Sequence, residues 1–254
     1  MINNPQRATR TRRSHLEVRT EMGCASSSSS STPAVQFGGA LKVVAWGVLG
    51  EAMGSSPWET KPVAPKPDKD CVIVDPASVR INSPNFTPGS AGGAAGAIYR
   101  FLGIAENDNF PPDVLCYLKV PGDATYKRYG HPNALHVIHV IGPDFNDLQL
   151  GRSAAVEALA QCYHNVLKLA AAQGRPLLRL VPVSSGIYAG PFKSEMAEMT
   201  AEALHTGFRM LQPSEQSELA PNAGRRIELC VFNPDETKAF KRAIERAFAM
   251  PLAQ

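Results

Sequence analysis

Leu135-His136-Val137-Ile138-His139-Val140-Ile141 is nearly continuous in apolar and β-branched residues, the pattern of a strand covered on both faces rather than one with a wet side. C-terminal to it, Ser153–Ala172 repeats apolar side chains at helical spacing (Val156, Leu159, Ala160, Tyr163, Val166, Leu167, Ala170) and meets Gly174, where a helix would stop. Leu177–Val183 (LLRLVPV) then reads as a second buried strand, Ser194–Leu211 as a helix, Ile227–Phe232 (IELCVF) as a third strand and Thr237–Ala249 as a closing helix. Strand and helix in strict alternation predict right-handed crossovers and a three-layer α/β/α fold around a mixed, largely parallel sheet. N-terminal to it, Leu41–Trp46 (LKVVAW), Cys71–Val74 (CVIV) and Val79–Asn82 (VRIN) are predicted as short strands, with Asp75–Ser78 separating the last two, and Ala94–Leu102 as a helix. The prolines of Pro57–Lys69 remove backbone donors, so residues from about 54 to 69 read as a surface loop. An irregular insertion over about 103–134 carries one apolar run, Val114–Val120, read as a further strand.

The chain has 254 residues, 44% hydrophobic and 19% charged, enough for one substantial α/β domain and too apolar to be disordered throughout. Residues 1–36 hold five arginines (Arg7, Arg10, Arg12, Arg13, Arg19) against Glu17 and Glu21, which accounts for the whole formal net charge of +3. That segment, with its serine run Ser26–Ser31, has no apolar period and is expected to be a disordered tail; the domain is expected over residues 37–254, beginning near Phe37. The neutral body argues against a protein dedicated to nucleic acid. No apolar run is long enough to span a membrane, and no h-region marks a secretory signal, so an intracellular setting, cytoplasmic or nuclear, is expected. The Arg- and Ser-rich, acid-poor start also reads as a mitochondrial presequence, and that address stays open. Five widely spaced cysteines suggest neither a zinc site nor a disulfide framework, and Cys71, Cys116 and Cys230 sit in apolar runs that suit core packing.

In open parallel sheets, ligands bind beyond the carboxyl ends of strands, so chemistry is sought after Ile81, Ile141, Val183 and Phe232. Two turns there are poor in side chains. The first runs from Ile81 through Asn82-Ser83-Pro84-Asn85 to Gly92-Gly93-Ala94-Ala95-Gly96-Ala97-Ile98 and enters a helix. The second is Ser184-Ser185-Gly186-Ile187-Tyr188. Small residues let backbone amides approach an anion, and a helix start adds partial positive charge, so a diphosphate could be held with no lysine or arginine. A flexible Gly/Ala turn explains the first stretch equally well on physics alone.

These residues carry a resemblance to the macrodomain family, an ADP-ribose-binding α/β/α module. Ile81-Asn82-Ser83-Pro84-Asn85 followed by Gly92–Ile98 resembles the family's V-N-A-A-N and its glycine run. Ser184–Tyr188 is similar to S-T-G-I-Y/F, and Val137–Phe145 to V-I-H-x-V-G-P-x-F. Cys230-Val231-Phe232 with Asp235-Glu236 resembles the closing element, so the likeness spans about residues 70 to 249. It implies that Asn85 contacts the distal ribose and helps place an attacking water, while Asn82 is more structural. It implies that Gly92, Gly93 and Ala94 flank the distal ribose and diphosphate. Ser184, Ser185, Gly186, Ile187 and Tyr188 would supply phosphate-binding amides, with the Tyr188 ring against that ribose and Phe232 near the adenine. The family's G-D-I-T sequence is absent, and Asp75 is the candidate for the adenine-recognising acid.

Where some cellular hydrolases of the family carry an aspartate in V-D-G-A-I, this chain has Ala95, closer to viral-type V-A-G members that hydrolyse without it. The resemblance therefore implies binding of ADP-ribose or a mono-ADP-ribosylated macromolecule, with hydrolysis of the linkage or of an ADP-ribose ester. The alternatives are a silent reader and a degenerate scaffold subunit. No metal or organic cofactor is implied. His136 and His139 are expected to share one face of a strand, which would suit a metal, but no third ligand stands at a suggestive spacing. Ser185, His139 and Asp144 invite a triad reading that lacks the G-x-S-x-G elbow.

Overall fold

The computed structural model describes residues 33–54, 59–130, 135–147 and 149–249. The expected disordered tail therefore lies outside the described residues up to position 32, as do parts of the proline-rich loop (55–58) and of the insertion (131–134). The elements run α1 (Pro33–Ala40), β1 (Leu41–Val44), β2 (Glu51–Met53), β3 (Thr60–Pro62), β4 (Cys71–Ala77), α2 (Gly93–Phe101), α3 (Pro112–Leu115) and β5 (Ala124–Arg128). They continue with β6 (His136–Ile141), α4 (Arg152–Gln173), β7 (Leu177–Leu180), α5 (Met196–Arg209), α6 (Pro213–Glu218), β8 (Arg226–Cys230) and α7 (Pro234–Ala249). Six strands form the main sheet in the order β1-β8-β7-β4-β6-β5. All neighbours are parallel except the β5/β6 pair, so the predicted mixed, largely parallel sheet is present.

Four readings of the N-terminal half differ from the structure. Val79–Asn82 is not a strand but a 3-10 turn, capped by Ser78 Oγ accepting from the Arg80 amide at 3.1 Å. The strand runs instead through Asp75 and Pro76 to Ala77. It tolerates the proline because its ladder with β7 ends at Ile73, leaving its last stretch paired with β6 alone. Val114–Val120 is a helical turn (α3) and a loop, with Val114 buried and Val120 exposed; the insertion's strand is β5, Ala-Thr-Tyr-Lys-Arg, too polar to read as one. Thr60–Pro62 pairs antiparallel with β2, so the proline-rich stretch is partly an exposed two-stranded ribbon, and helix starts at Pro33, ahead of Phe37.

Alternation assigns the layers. Ile73, Asp75, Val137, His139, Arg179 and Glu228 share one face by register. That face meets α2 and the segment around β2 and β3: Tyr99 reaches Asp75, and buried Arg179 pairs with Glu228 at 2.9 Å while donating to the carbonyls of Val48 and Pro65. The opposite face carries α4, α5 and α7. There Phe37 stacks on Phe208 at 4.3 Å and packs against Phe248, tying α1 to the same layer. His136 and His139 are three apart and point to opposite faces, one toward Tyr126 and the other toward Asp75 and Tyr129, so the shared-face metal pair does not exist. Cys71, Cys162 and Cys230 are buried free thiols, and burial pushes those of Cys71 and Cys162 up to about 12; Cys116, expected in the core, is exposed. Among the described residues no helix is long and apolar enough to cross a membrane.

Candidate functional site

The parallel strands deliver their carboxyl ends to one edge, where β8 continues into Val231-Phe232, β7 into Val181–Ser184, β4 into Ser78 and β6 into Gly142-Pro143. The first turn enters α2 with Gly92 as N-cap, which offers no side-chain oxygen to the opening amides. Gly92, Gly93 and Ala94 are exposed, Ala95 is half-buried, and a Cβ built at Gly92 or Gly93 would meet nothing within 4 Å. The α2 start is thus an open patch of backbone donors with the helix dipole behind it. Upstream, Asn82 donates to the Leu118 carbonyl at 2.7 Å and tethers the insertion. Asn85 is exposed, next to a Phe86 ring that stacks on Phe110 and lies under Arg80.

The second turn is held from behind. Ser184 has φ +60, the one non-glycine in the left-handed region among the described residues, and its Oγ donates to the Pro143 carbonyl at 2.6 Å. Gly142 makes room for that hydroxyl, since a Cβ there would stand 2.5 Å from it. Ser185 Oγ donates to the Pro182 carbonyl at 2.8 Å. The carbonyls of Ile187 and Tyr188 are drawn toward the loop after β6 by Asn146 Nδ2 and the Phe145 amide. No acceptor among the described residues takes the amides of Gly186, Ile187 or Tyr188, and Ile187 is 82% exposed. Successive amides with no acceptor among the described residues, on an exposed turn, are an arrangement that can bind an anion.

Both turns are fixed to the end of β4. Tyr99 of α2 donates to Asp75 Oδ2 at 2.7 Å, and the Tyr188 hydroxyl is hydrogen-bonded to Ser78 Oγ at 2.8 Å. The helix that follows the Gly92 turn and the second turn are thus each bonded to residues at or just beyond the end of β4. Phe232, 37% exposed, stands at the end of β8 beside Gly47, and a cavity of about 530 Å³ opens on the flank of the second turn between Ser185, Lys193, Met196, Asp235 and Phe240.

Asp75 departs from its expected role. It is fully buried, its Oδ2 also accepting from His139 Nδ1 at 2.7 Å, while Oδ1 has no partner among the described residues. With no exposed surface it offers nothing to a base in solvent; it braces α2 against the sheet. Burial, then the adjacent Asp75 charge, holds the Tyr99 phenol well above its ordinary value, so it stays a donor. The triad does not assemble: Ser185 bonds Pro182, His139 bonds Asp75 and Tyr129, and Asp144 bonds Asn146. Sequence reading missed Ser78, because the strand was read as ending at Val74, with Asp75–Ser78 as a separator, whereas it runs to Ala77. Among the described residues no group of three or more His, Cys, Asp or Glu could hold a metal ion.

A mostly parallel sheet between two helical layers, with loops gathered at the carboxyl ends of its strands, defines the class as an α/β/α module. Comparison with known proteins makes the class specific. The family model described as Macro domain matches residues 81–199. A protein named O-acetyl-ADP-ribose deacetylase from Enterobacter sp. (strain 638) is 30% identical over 152 residues, which cover 55% of this chain and 78% of that one. A macro domain-containing protein of Mesorhizobium japonicum is 28% identical over 168 residues, 65% of this chain and 84% of its own. The solved Oceanobacillus iheyensis macrodomain with ADP shares the fold at a TM-score of 0.50 and 18% identity, over 72% of this chain and 89% of that one. The chain belongs to the macro domain family.

Proposed function

We propose that residues 37–254 act as one macro domain that binds ADP-ribose or ADP-ribosyl groups across this rim. The diphosphate lies on the amides of Gly186, Ile187 and Tyr188 and the open start of α2, and the base rests against Phe232. The observation that carries the reading is the set of second-turn amides with no acceptor among the described residues, beside carbonyls tied to the loop after β6. Relatives named O-acetyl-ADP-ribose deacetylase support it. The reaction proposed is hydrolysis of a mono-ADP-ribose linkage or an ADP-ribose ester: water attacks the anomeric or acyl carbon, Asn85 orients that water, and the fixed diphosphate supplies proximity.

Calorimetry with ADP-ribose tests binding; release of acetate from O-acetyl-ADP-ribose and demodification of a mono-ADP-ribosylated protein test turnover. Asn85→Ala should abolish turnover while Kd for ADP-ribose changes by no more than about fivefold. Unchanged turnover removes Asn85 from the mechanism. A second reading, a silent reader, is favoured by one feature: between Ser83 and Ala95 and between Ser184 and Phe192 the only titratable side chain is Tyr188. Tight binding with no turnover on either substrate would establish it, and no binding would leave a scaffold.

A further inference from the structure

We propose that the loop Tyr117–Asp123 docks the polypeptide to which an ADP-ribosyl group is attached, with Tyr117 and Val120 covering an apolar side chain beside the modified residue. This rests on the nucleotide reading above and concerns a surface outside the nucleotide's own contacts. The loop is bonded to the carboxyl edge of the sheet at two places. Gly122 donates its amide to the Ile141 carbonyl at 2.8 Å and Ile141 donates to the Asp123 carbonyl at 2.9 Å, which fixes the loop to the last residue of β6. Asn82, on the 3-10 turn that follows β4, donates to the Leu118 carbonyl at 2.7 Å. Along the edge the order is β8, β7, β4, β6, so Phe232, the second turn, the end of β4 and this loop follow one another. Adjacent strands are about 4.8 Å apart. A ligand with its base on Phe232 and its diphosphate on the second turn directs its far end over β4, and what is attached to that end meets the loop beside β6.

Six large apolar side chains are exposed among the described residues, and four of them are on this edge: Phe232, Ile187, Tyr117 at 65% and Val120 at 57%. The first two lie where the nucleotide reading puts the base and the diphosphate. Tyr117 and Val120 have no part in that reading. Their exposure is built into the loop: Leu118 between them is fully buried, and Asp123 Oδ2 accepts the Lys119 and Val120 amides at 2.7 and 2.9 Å. Asn165 Nδ2 holds the Gly122 carbonyl from α4 at 2.8 Å. An apolar pair kept outward on a braced loop is stabilised by being covered, and little conformational freedom is lost when it is. Between Leu115 and Gly122 the only charged side chain is Lys119, which suits a polypeptide better than a chain of phosphates.

Calorimetric titration compares free ADP-ribose with two short peptides that carry ADP-ribose through a hydrolysis-resistant triazole link, one with leucine on each side of the modified position and one with glycine there. Wild type should bind the leucine conjugate about fivefold or more tightly than ADP-ribose, and the glycine conjugate within about twofold of ADP-ribose. The double variant Tyr117→Ser, Val120→Ser should lose that advantage while ADP-ribose itself stays within about twofold of wild type. Both side chains are exposed, and the retained ADP-ribose affinity reports an intact fold. Equal affinity of wild type for ADP-ribose and the leucine conjugate, an equal gain from the glycine conjugate, an advantage kept by the double variant, or a parallel loss of all three ligands in it overturns the docking assignment while the nucleotide reading stands. So does a gain found only with ADP-ribose linked to the end of an oligonucleotide, which would give the loop to nucleic acid. Wild type binding none of these ligands overturns both readings.

Discussion

Asp75 sits with no exposed surface between the Tyr99 hydroxyl and His139 Nδ1, each 2.7 Å from the same oxygen. Replacing it by asparagine keeps one acceptor for those donors but puts an NH2 where Oδ1 has no partner. An unsatisfied buried donor costs about 1–3 kcal/mol, so Asp75→Asn should lower urea stability by that order while ADP-ribose affinity stays within about twofold. Loss of binding at unchanged stability would return Asp75 to the ligand. An aspartate at a strand end reads alike whether it faces solvent or core. Its partners lie 24 and 64 residues away, and no local pattern announces them. The openness of the two turns at Gly92, Gly93 and Gly186 was legible, since it follows from the lack of a side chain, a property each residue carries by itself. The Ser78 contact was not, because it depends on where β4 ends and on a tyrosine 110 residues on.

Elements with strong periodicity were legible to within a few residues: α4 was predicted over 153–172 and spans Arg152–Gln173, with Gly174 in the left-handed cap at φ +63. Short apolar pieces were not, since Val79–Asn82 and Val114–Val120 bury single side chains that suit a turn as well as a strand. What no pattern showed is how closely elements meet. Gly207 of α5 lies against α4 so tightly that a Cβ would stand 2.7 Å from the Ala160 carbonyl oxygen and 2.8 Å from the His164 nitrogen. Both obstacles are backbone and cannot rotate away. Gly207→Ala should therefore separate the helices and cost about 1–3 kcal/mol, read as a lower urea midpoint at constant slope. No shift would mean that the α4/α5 contact yields at little cost.

Across the whole molecule, the formal charge of +3 equals that of residues 1–36, leaving the remainder formally neutral. No long-range field gathers anions, and neither turn carries a lysine or arginine. If amides and the α2 dipole hold the diphosphate, the interaction is short-ranged and shielded by the ligand itself, so added salt has few exposed charge pairs to screen. ADP-ribose affinity should then fall by less than about threefold between 50 and 200 mM sodium chloride, where the screening length roughly halves. Calorimetry over that range on the full chain, repeated with ADP, gives the dependence directly. A tenfold or larger loss would mean that cationic side chains carry the diphosphate, and Lys193 beside the cavity at Ser185 would be the first to replace. A shallow dependence shared by both nucleotides places the anion on the backbone, because only a donor set without formal charge leaves so little for salt to weaken.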